Sequence, residues 1–219
     1  MWCVARITVE YRERMYALLD LYAKAYSAEE PVICLDEKSK QLLADKRQPI
    51  AMEPGSPAKE DYEYTRKGTR NLFVAVEPKG GRREVSVTAR RTKKDFVTFV
   101  LYLVQVVYAS ARKVHLVVDN LNTHFAKSFV EVLGPQPAAL VLARIDFHYT
   151  PKHASWLNMA EVEIGVMEKQ CTGRRIPTEA MLQGEVAAWQ HKRNVEKRGI
   201  QWAFTREKAD AKLGRQYVS

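Results

Sequence analysis

The chain has 219 residues, 46% of them hydrophobic, and 35 Lys and Arg against 26 Asp and Glu give a net charge of +9. That length supports one domain with a full core, the composition excludes a disordered chain, and the basic excess favours polyanionic partners, nucleic acid first. No apolar run is long enough to span a membrane, residues 1–6 lack a signal peptide's charged and apolar regions, and Cys3, Cys34 and Cys171 form no CxxC pair. These features argue against a membrane protein, a disulfide framework and a structural zinc, and point to a cytoplasmic protein with incidental buried thiols.

Tyr11, Met15, Leu18, Tyr22 and Tyr26 recur at helical spacing and predict an amphipathic helix over 8–27. Pro31 to Asp36 reads as a short buried strand ending on an acid. From 44 to 68 the pattern dissolves among Pro49, Pro54, Gly55, Pro57 and many charges, the composition of a long loop. Residues 70–77 and 83–89 read as a hairpin turning at Pro78-Lys79-Gly80-Gly81, with Val85, Val87 and Ala89 alternating against polar neighbours. Thr92 and Asp95 form a capping-box pattern ahead of a helix over 93–110, which carries Phe96, Phe99, Val100, Leu103, Val104 and Val107 on one face. Val114 to Val118 suits a parallel strand covered on both faces and leads into Asp119. A short helix over 123–133, a strand over 143–149, a helix from Asn158 and a helix capped by Thr178, carrying Leu182, Val186 and Trp189, complete the pass. A hairpin beside parallel strands joined by helical crossovers predicts an α/β fold with a mixed sheet flanked by helices, in the element order of ribonuclease-H-like proteins.

Two predicted strands lead into aspartates, Asp36 and Asp119. As parallel neighbours about 4.8 Å apart, such strands bring their carboxylates together at the carboxyl edge of the sheet, where open α/β sheets bind ligands. Two such charges about 4 Å apart repel by about 4 kcal/mol at an effective dielectric near 20, and a hard divalent cation removes that cost. The competing role for either acid is to cap a turn or a helix.

The run Tyr149-Thr150-Pro151-Lys152-His153-Ala154-Ser155-Trp156-Leu157-Asn158-Met159-Ala160-Glu161 resembles the S-W-L-N-x-x-E motif of DDE transposases of the mariner superfamily, in the bacterial insertion-sequence branch. In the same order, Cys34-Leu35-Asp36-Glu37 resembles the first acidic motif and Val118-Asp119-Asn120, followed by His124, the second. Ile200-Gln201-Trp202-Ala203-Phe204-Thr205 resembles the closing segment. The resemblance implies a ribonuclease-H-like catalytic domain over 30–219, preceded by a linker helix over 1–29. It implies that Asp36, Asp119 and Glu161 hold two Mg²⁺ or Mn²⁺ ions for cleavage and strand transfer of DNA, the substrate and partner, by a homodimer. The segment before Pro31 is too short for the helix-turn-helix pair that normally precedes this domain, so the recognition module is expected elsewhere. Another ribonuclease-H-like nuclease and a non-catalytic transposase-derived DNA-binding protein are the alternatives.

Glu161 has a competing role, because Asn158-x-x-Glu161 also matches a capping box. Glu163 and Glu168 are rival acids, and Glu37 is expected to face away from Asp36. Asn120 and His124 are candidates for supporting Asp119 or contacting the scissile phosphate, against helix capping and a surface histidine. His148 and His153 read as polar surface and Asp146 as an ordinary edge-strand acid. The clusters Arg66-Lys67-Gly68-Thr69-Arg70, Arg90-Arg91-Thr92-Lys93-Lys94, Arg174-Arg175 and His191-Lys192-Arg193 are candidates for phosphate contacts, against a solvated face for any one of them. Trp156 is a base-stacking candidate, although core packing is the commoner role of such a residue.

Overall fold

The computed structural model describes residues 6–59 and 61–218; Cys3 and most of the segment read for a signal peptide lie outside them. Five strands form one mixed sheet: β1 (Val32–Asp45), β2 (Tyr64–Glu77), β3 (Arg82–Thr88), β4 (Val114–Val118) and β5 (Ile145–Tyr149), in the order β3-β2-β1-β4-β5. β1 pairs antiparallel with β2 (Cys34 opposite Val76) and β2 with β3 (Val74 opposite Val85). β1 pairs parallel with β4 (Val32 opposite His115), as β4 does with β5 (Val114 opposite Ile145). This is the expected ribonuclease-H-like arrangement of a hairpin beside parallel strands.

Alternation along β1 assigns the faces. Ile33 and Leu35 join Phe73, Leu116 and Val118 under α2 (Lys93–Tyr102), α3 (Ala126–Leu133) and α4 (Pro135–Leu142). Cys34 and Val117 turn to the other face, where α1 (Val9–Ala23) contributes Met15, Leu18 and Tyr22, and where Leu157, Met159 and Ala160 pack. Farther along that sheet, Leu42, Leu72 and Val74 are covered by Ile164 and Met167 of α5 (Met159–Met167) and by Leu182, Val186 and Trp189 of α6 (Glu179–Glu196). A final helix, α7 (Arg206–Leu213), buries Ala209 against α1.

Several element bounds differ from the sequence reading. Asp36 does not end its strand: β1 runs 14 residues to Asp45, and β2 begins at Tyr64, so the expected loop over 44–68 shrinks to 46–63. The outer part of the β1–β2 arm is held by cross-strand backbone pairing and stands mostly in solvent, so its residues carry no apolar alternation. The Thr92 capping box is made in both directions, with Thr92 Oγ1 accepting from the Asp95 N–H at 3.3 Å and Asp95 Oδ2 accepting from the Thr92 N–H at 2.8 Å. Beyond Tyr102 that helix widens into a π-helical turn over Leu103–Val107. Gly134, at φ 83°, ends α3, and α4 restarts with Pro135 in its first turn, a position that uses proline's missing N–H and fixed φ.

Candidate active site

β1 carries Asp36 and Glu37 to opposite faces of the sheet. On the α5 side, Asp36 is 8% exposed. Its Oδ1 accepts from the Glu37 N–H at 2.8 Å and its Oδ2 from Asn158 Nδ2 at 3.3 Å. Asn158 fixes this corner: Nδ2 also donates to Leu35 O at 2.9 Å, and Oδ1 caps α5 by accepting from the Ala160 N–H at 3.1 Å. Burial, and after it the charges of Glu161, Asp119 and Glu37, push the Asp36 carboxyl up to about 7 against the help of the Glu37 N–H.

Asp119 follows the last residue of β4. Its Oδ1 accepts from His124 Nδ1 at 2.6 Å and from the Leu121 N–H at 3.1 Å. Burial alone would raise its pKa, but the bond and charge of His124, the Leu121 N–H and the charge of Arg91 together hold it below the usual carboxylate value. His124 is fully buried, its ring 4.5 Å from that of Phe96, and its Nε2 lies 2.8 Å from Glu37 Oε1. Burial disfavours its charge, yet its bonds to Asp119 and Glu37 outweigh this and raise it to about 9. It is therefore an imidazolium at neutral pH, donating to one acid from each strand. The surface role considered for His124 is overturned by this burial. Glu37 does face away from Asp36, and on that face it meets His124; its buried Oε2 has no hydrogen-bond partner. Spacing gave no sign of this link, because Glu37 and His124 sit on different elements and meet only across the sheet edge.

Glu161 lies exposed in the first turn of α5. The Asn158 N–H is taken by Ser155 O at 2.7 Å, so the reciprocal arm of a capping box is not made by Glu161. Its rivals are engaged elsewhere. Glu163 is 1% exposed and paired with Arg83 (Nε to Oε1, 3.0 Å) and Arg193 (Nε to Oε1, 3.0 Å), and Glu168 lies 3.3 Å from Lys38 Nζ. Asp36 thus lies within electrostatic range of both Glu161 and Asp119, although the three do not place one oxygen each within 4.8 Å of one another. The donor set is all hard oxygen and the acids repel, which fits a divalent cation of the magnesium type.

Around this core, Asn120 clamps the strand ends, donating through Nδ2 to Thr150 O and accepting from Arg14 Nη1 at 3.1 Å. Trp156 packs edge-on against Phe204 at 5.3 Å, which joins the third motif to the closing segment. Arg90 and Arg91 are exposed between β3 and α2, and Arg66 and Lys67 are exposed on the β1–β2 arm. Arg174 and Arg175 are engaged with Glu185 and Asp45. His148 is half-buried, and its Nε2 lies 3.0 Å from His115 Nδ1.

A comparison with the curated proteins finds no match. Among solved structures, a Mos1 transposase paired-end complex with the left transposon end superposes with a TM-score of 0.60 at 16% identity, over 99% of this chain and 65% of that one. A Mos1 mariner paired-end complex with Mn gives 0.59 at 14% identity over the same shares, and a Mos1 strand transfer complex gives 0.56 at 15% over 94% and 58%. The chain therefore spans less than two-thirds of these proteins, and at such identities the likeness establishes the fold. The family model for the DDE superfamily endonucleases matches residues 31–183, more than half the chain and all three motif acids. The chain belongs to the DDE superfamily of endonucleases.

Proposed function

We propose that this chain is the catalytic part of a DNA transposase of the mariner superfamily, in the bacterial insertion-sequence branch, which cuts transposon ends and joins them to new DNA. The observation that carries this reading is the shared field at Asp36, where burial and the charges of Glu161 and Asp119 raise one carboxyl to about 7. Asp36 bears repulsion from acids of the two other motifs, which a cation pair would relieve. Asp36, Asp119 and Glu161 would hold two Mg²⁺ or Mn²⁺ ions; two-metal sites set their ions about 3.5–4 Å apart, so the three acids need not crowd a single ion. When bound, such ions lower the pKa of the attacking water and neutralise charge on the scissile phosphate.

The chain's own residues supply the positioning. Asn158 and the Glu37 N–H fix the Asp36 carboxylate, while the His124 imidazolium and the Leu121 N–H fix that of Asp119. The first turn of α5 presents Glu161 to solvent, where DNA approaches. Arg90, Arg91, Arg66 and Lys67 supply exposed cations for phosphate contacts. Residues 30–219 form the catalytic unit on this reading, with α1 laid on its sheet, and two copies act together on paired ends.

The test is nicking of a supercoiled plasmid. Wild type should nick with Mg²⁺ or Mn²⁺ and stop with EDTA, and Asp119→Asn and Glu161→Gln should lose nicking while retaining their circular dichroism. Equal nicking by wild type and both variants would remove the acids from the chemistry.

A further inference from the structure

The edge of the sheet carries a second group of ligand-type side chains that the DDE motifs do not include. His115 lies on β4, and Asp146 and His148 lie two apart on β5, all on the face that also carries Val117. His115 pairs in register with Asp146, so the three residues form a triangle across two parallel strands. His115 Nδ1 lies 3.0 Å from His148 Nε2 and 3.5 Å from Asp146 Oδ2, and one ligand atom from each lies within 4.8 Å of the others. Among the described residues no other three His, Cys, Asp or Glu side chains come together this closely.

We propose that His115, Asp146 and His148 bind one divalent cation of the zinc class, through two imidazole nitrogens and one carboxylate oxygen. Metal–ligand bonds of about 2.0–2.1 Å in tetrahedral geometry separate neighbouring ligand atoms by about 3.3 Å, and the two measured separations bracket that value. A donor set of two imidazoles and a carboxylate selects zinc, cobalt or a related ion over magnesium. Coordination needs neutral rings. Burial lowers both histidines, and burial with the neighbouring His115 takes His148 to about 4; Lys24 and Lys113 push the same way and Asp146 opposes, as Glu30 also does at His115. Lys113 Nζ, 3.9 Å from Asp146 Oδ2, is the cation that a bound ion would displace from this carboxylate. Asp146 is half-exposed, which leaves room for solvent as a fourth ligand.

His115 precedes Asp119 by four residues, so along an extended strand the two sites stand about 13 Å apart. An ion here ties the edge strand β5 to β4 and leaves the DDE acids untouched. The cysteine pattern, which argued against a structural zinc, contains no trace of the site because no cysteine contributes to it.

Metal-stripped protein carrying Asp119→Asn, which disables the acidic site, is titrated with Co²⁺ and read by visible absorption. The expected result is one equivalent bound with the intense band of four- or five-coordinate cobalt, displaced by Zn²⁺ and not by excess Mg²⁺. Adding His148→Gln or Asp146→Asn should abolish the band. Because His148→Gln disturbs a packed contact, the half-exposed Asp146→Asn serves as the second variant, with folding checked by circular dichroism in EDTA. Zn²⁺ should raise the melting temperature of the parent and not that of the Asp146→Asn protein. No band on the parent, a band that survives both substitutions, or an equal Zn²⁺ shift in parent and Asp146→Asn protein would overturn the site and leave a plain histidine–histidine hydrogen bond.

Discussion

Asp36 and Asp119 bring the same carboxylate to the same site from strands that are direct neighbours, and their surroundings act in opposite directions. Asp36 is buried among acids, whereas Asp119 is bonded to an imidazolium. Repulsion among acids alone predicts that neutralising either one stabilises the metal-free protein; the His124 bond reverses this for Asp119. Asp36→Asn should raise the melting temperature in EDTA. The wild-type carboxyl shifts from 3.8 to about 7 on folding, so the stability its proton contributes is complete below the lower value and is lost as pH rises through 7. The gain from Asp36→Asn should therefore be largest above pH 7 and vanish toward pH 4. Asp119→Asn should instead lower the midpoint at pH 7, by an amount corresponding to roughly 1–2 kcal/mol, since it weakens a charge-assisted bond on a partly exposed group. Melting curves of both variants across this pH range check the pair, and shifts of equal sign would contradict the assigned environments.

α5 carries two acids on nearly opposite faces, in very different surroundings. Glu161 points to solvent, while Glu163, two positions on, is sealed between Arg83 and Arg193. Glu163→Ala leaves the fully buried Arg83 without its carboxylate and should destabilise the fold by about 3–5 kcal/mol, measured by urea unfolding. Glu161→Ala should change stability by less than about 1 kcal/mol. The N-cap of α2 offers a smaller effect of the same kind, and Thr92→Ala should cost about 1 kcal/mol. The elements most legible in the sequence were those with a local cause: the Thr92 cap, the apolar run of β4, and the turn at Pro78–Gly81. The outer β1–β2 arm was not legible, because backbone pairing in solvent asks for no hydrophobic period. In the candidate site, the acidic motifs and the S-W-L-N-x-x-E run named Asp36, Asp119 and Glu161, and the spacing of His124 from Asp119 made it a candidate support, while the expectation that Asp36 ends its strand failed because β1 continues to Asp45. The Glu37–His124 contact and the His115–Asp146–His148 triangle join residues far apart in the chain and carry no local signal.

Across the whole molecule, Arg83, Arg174, Arg175 and Arg193 pair with carboxylates, and such pairs leave the net charge of +9 unchanged. Arg90, Arg91, Arg66 and Lys67 remain exposed, and the charge of Arg91 is felt at Asp119. Binding to random-sequence duplex DNA should therefore be salt-sensitive, with a log–log slope near −0.9 per phosphate neutralised. Arg90→Ala with Arg91→Ala should reduce the magnitude of that slope by up to about 1.8, the full value applying if each arginine neutralises one phosphate. Fluorescence anisotropy between low and moderate salt measures it. An unchanged slope would move the DNA path away from these residues. Among the described residues no helix is long and apolar enough to cross a membrane.

Cys34 lies fully buried under α1, two residues before Asp36, with its thiol beside the Tyr22 hydroxyl at 3.6 Å while that hydroxyl donates to Leu157 O at 2.8 Å. Burial pushes the thiol up to about 12, so in the closed protein it is both covered and protonated. An alkylating reagent reaches it only when α1 lifts from the sheet, which makes its labelling rate a clock for that opening. With Cys3 and Cys171 replaced by serine, the rate in EDTA reports how often the first acidic motif breathes. Mg²⁺ that draws Asp36 and Glu161 together should slow the clock, giving a readout of occupancy at the acidic site that requires neither DNA nor turnover.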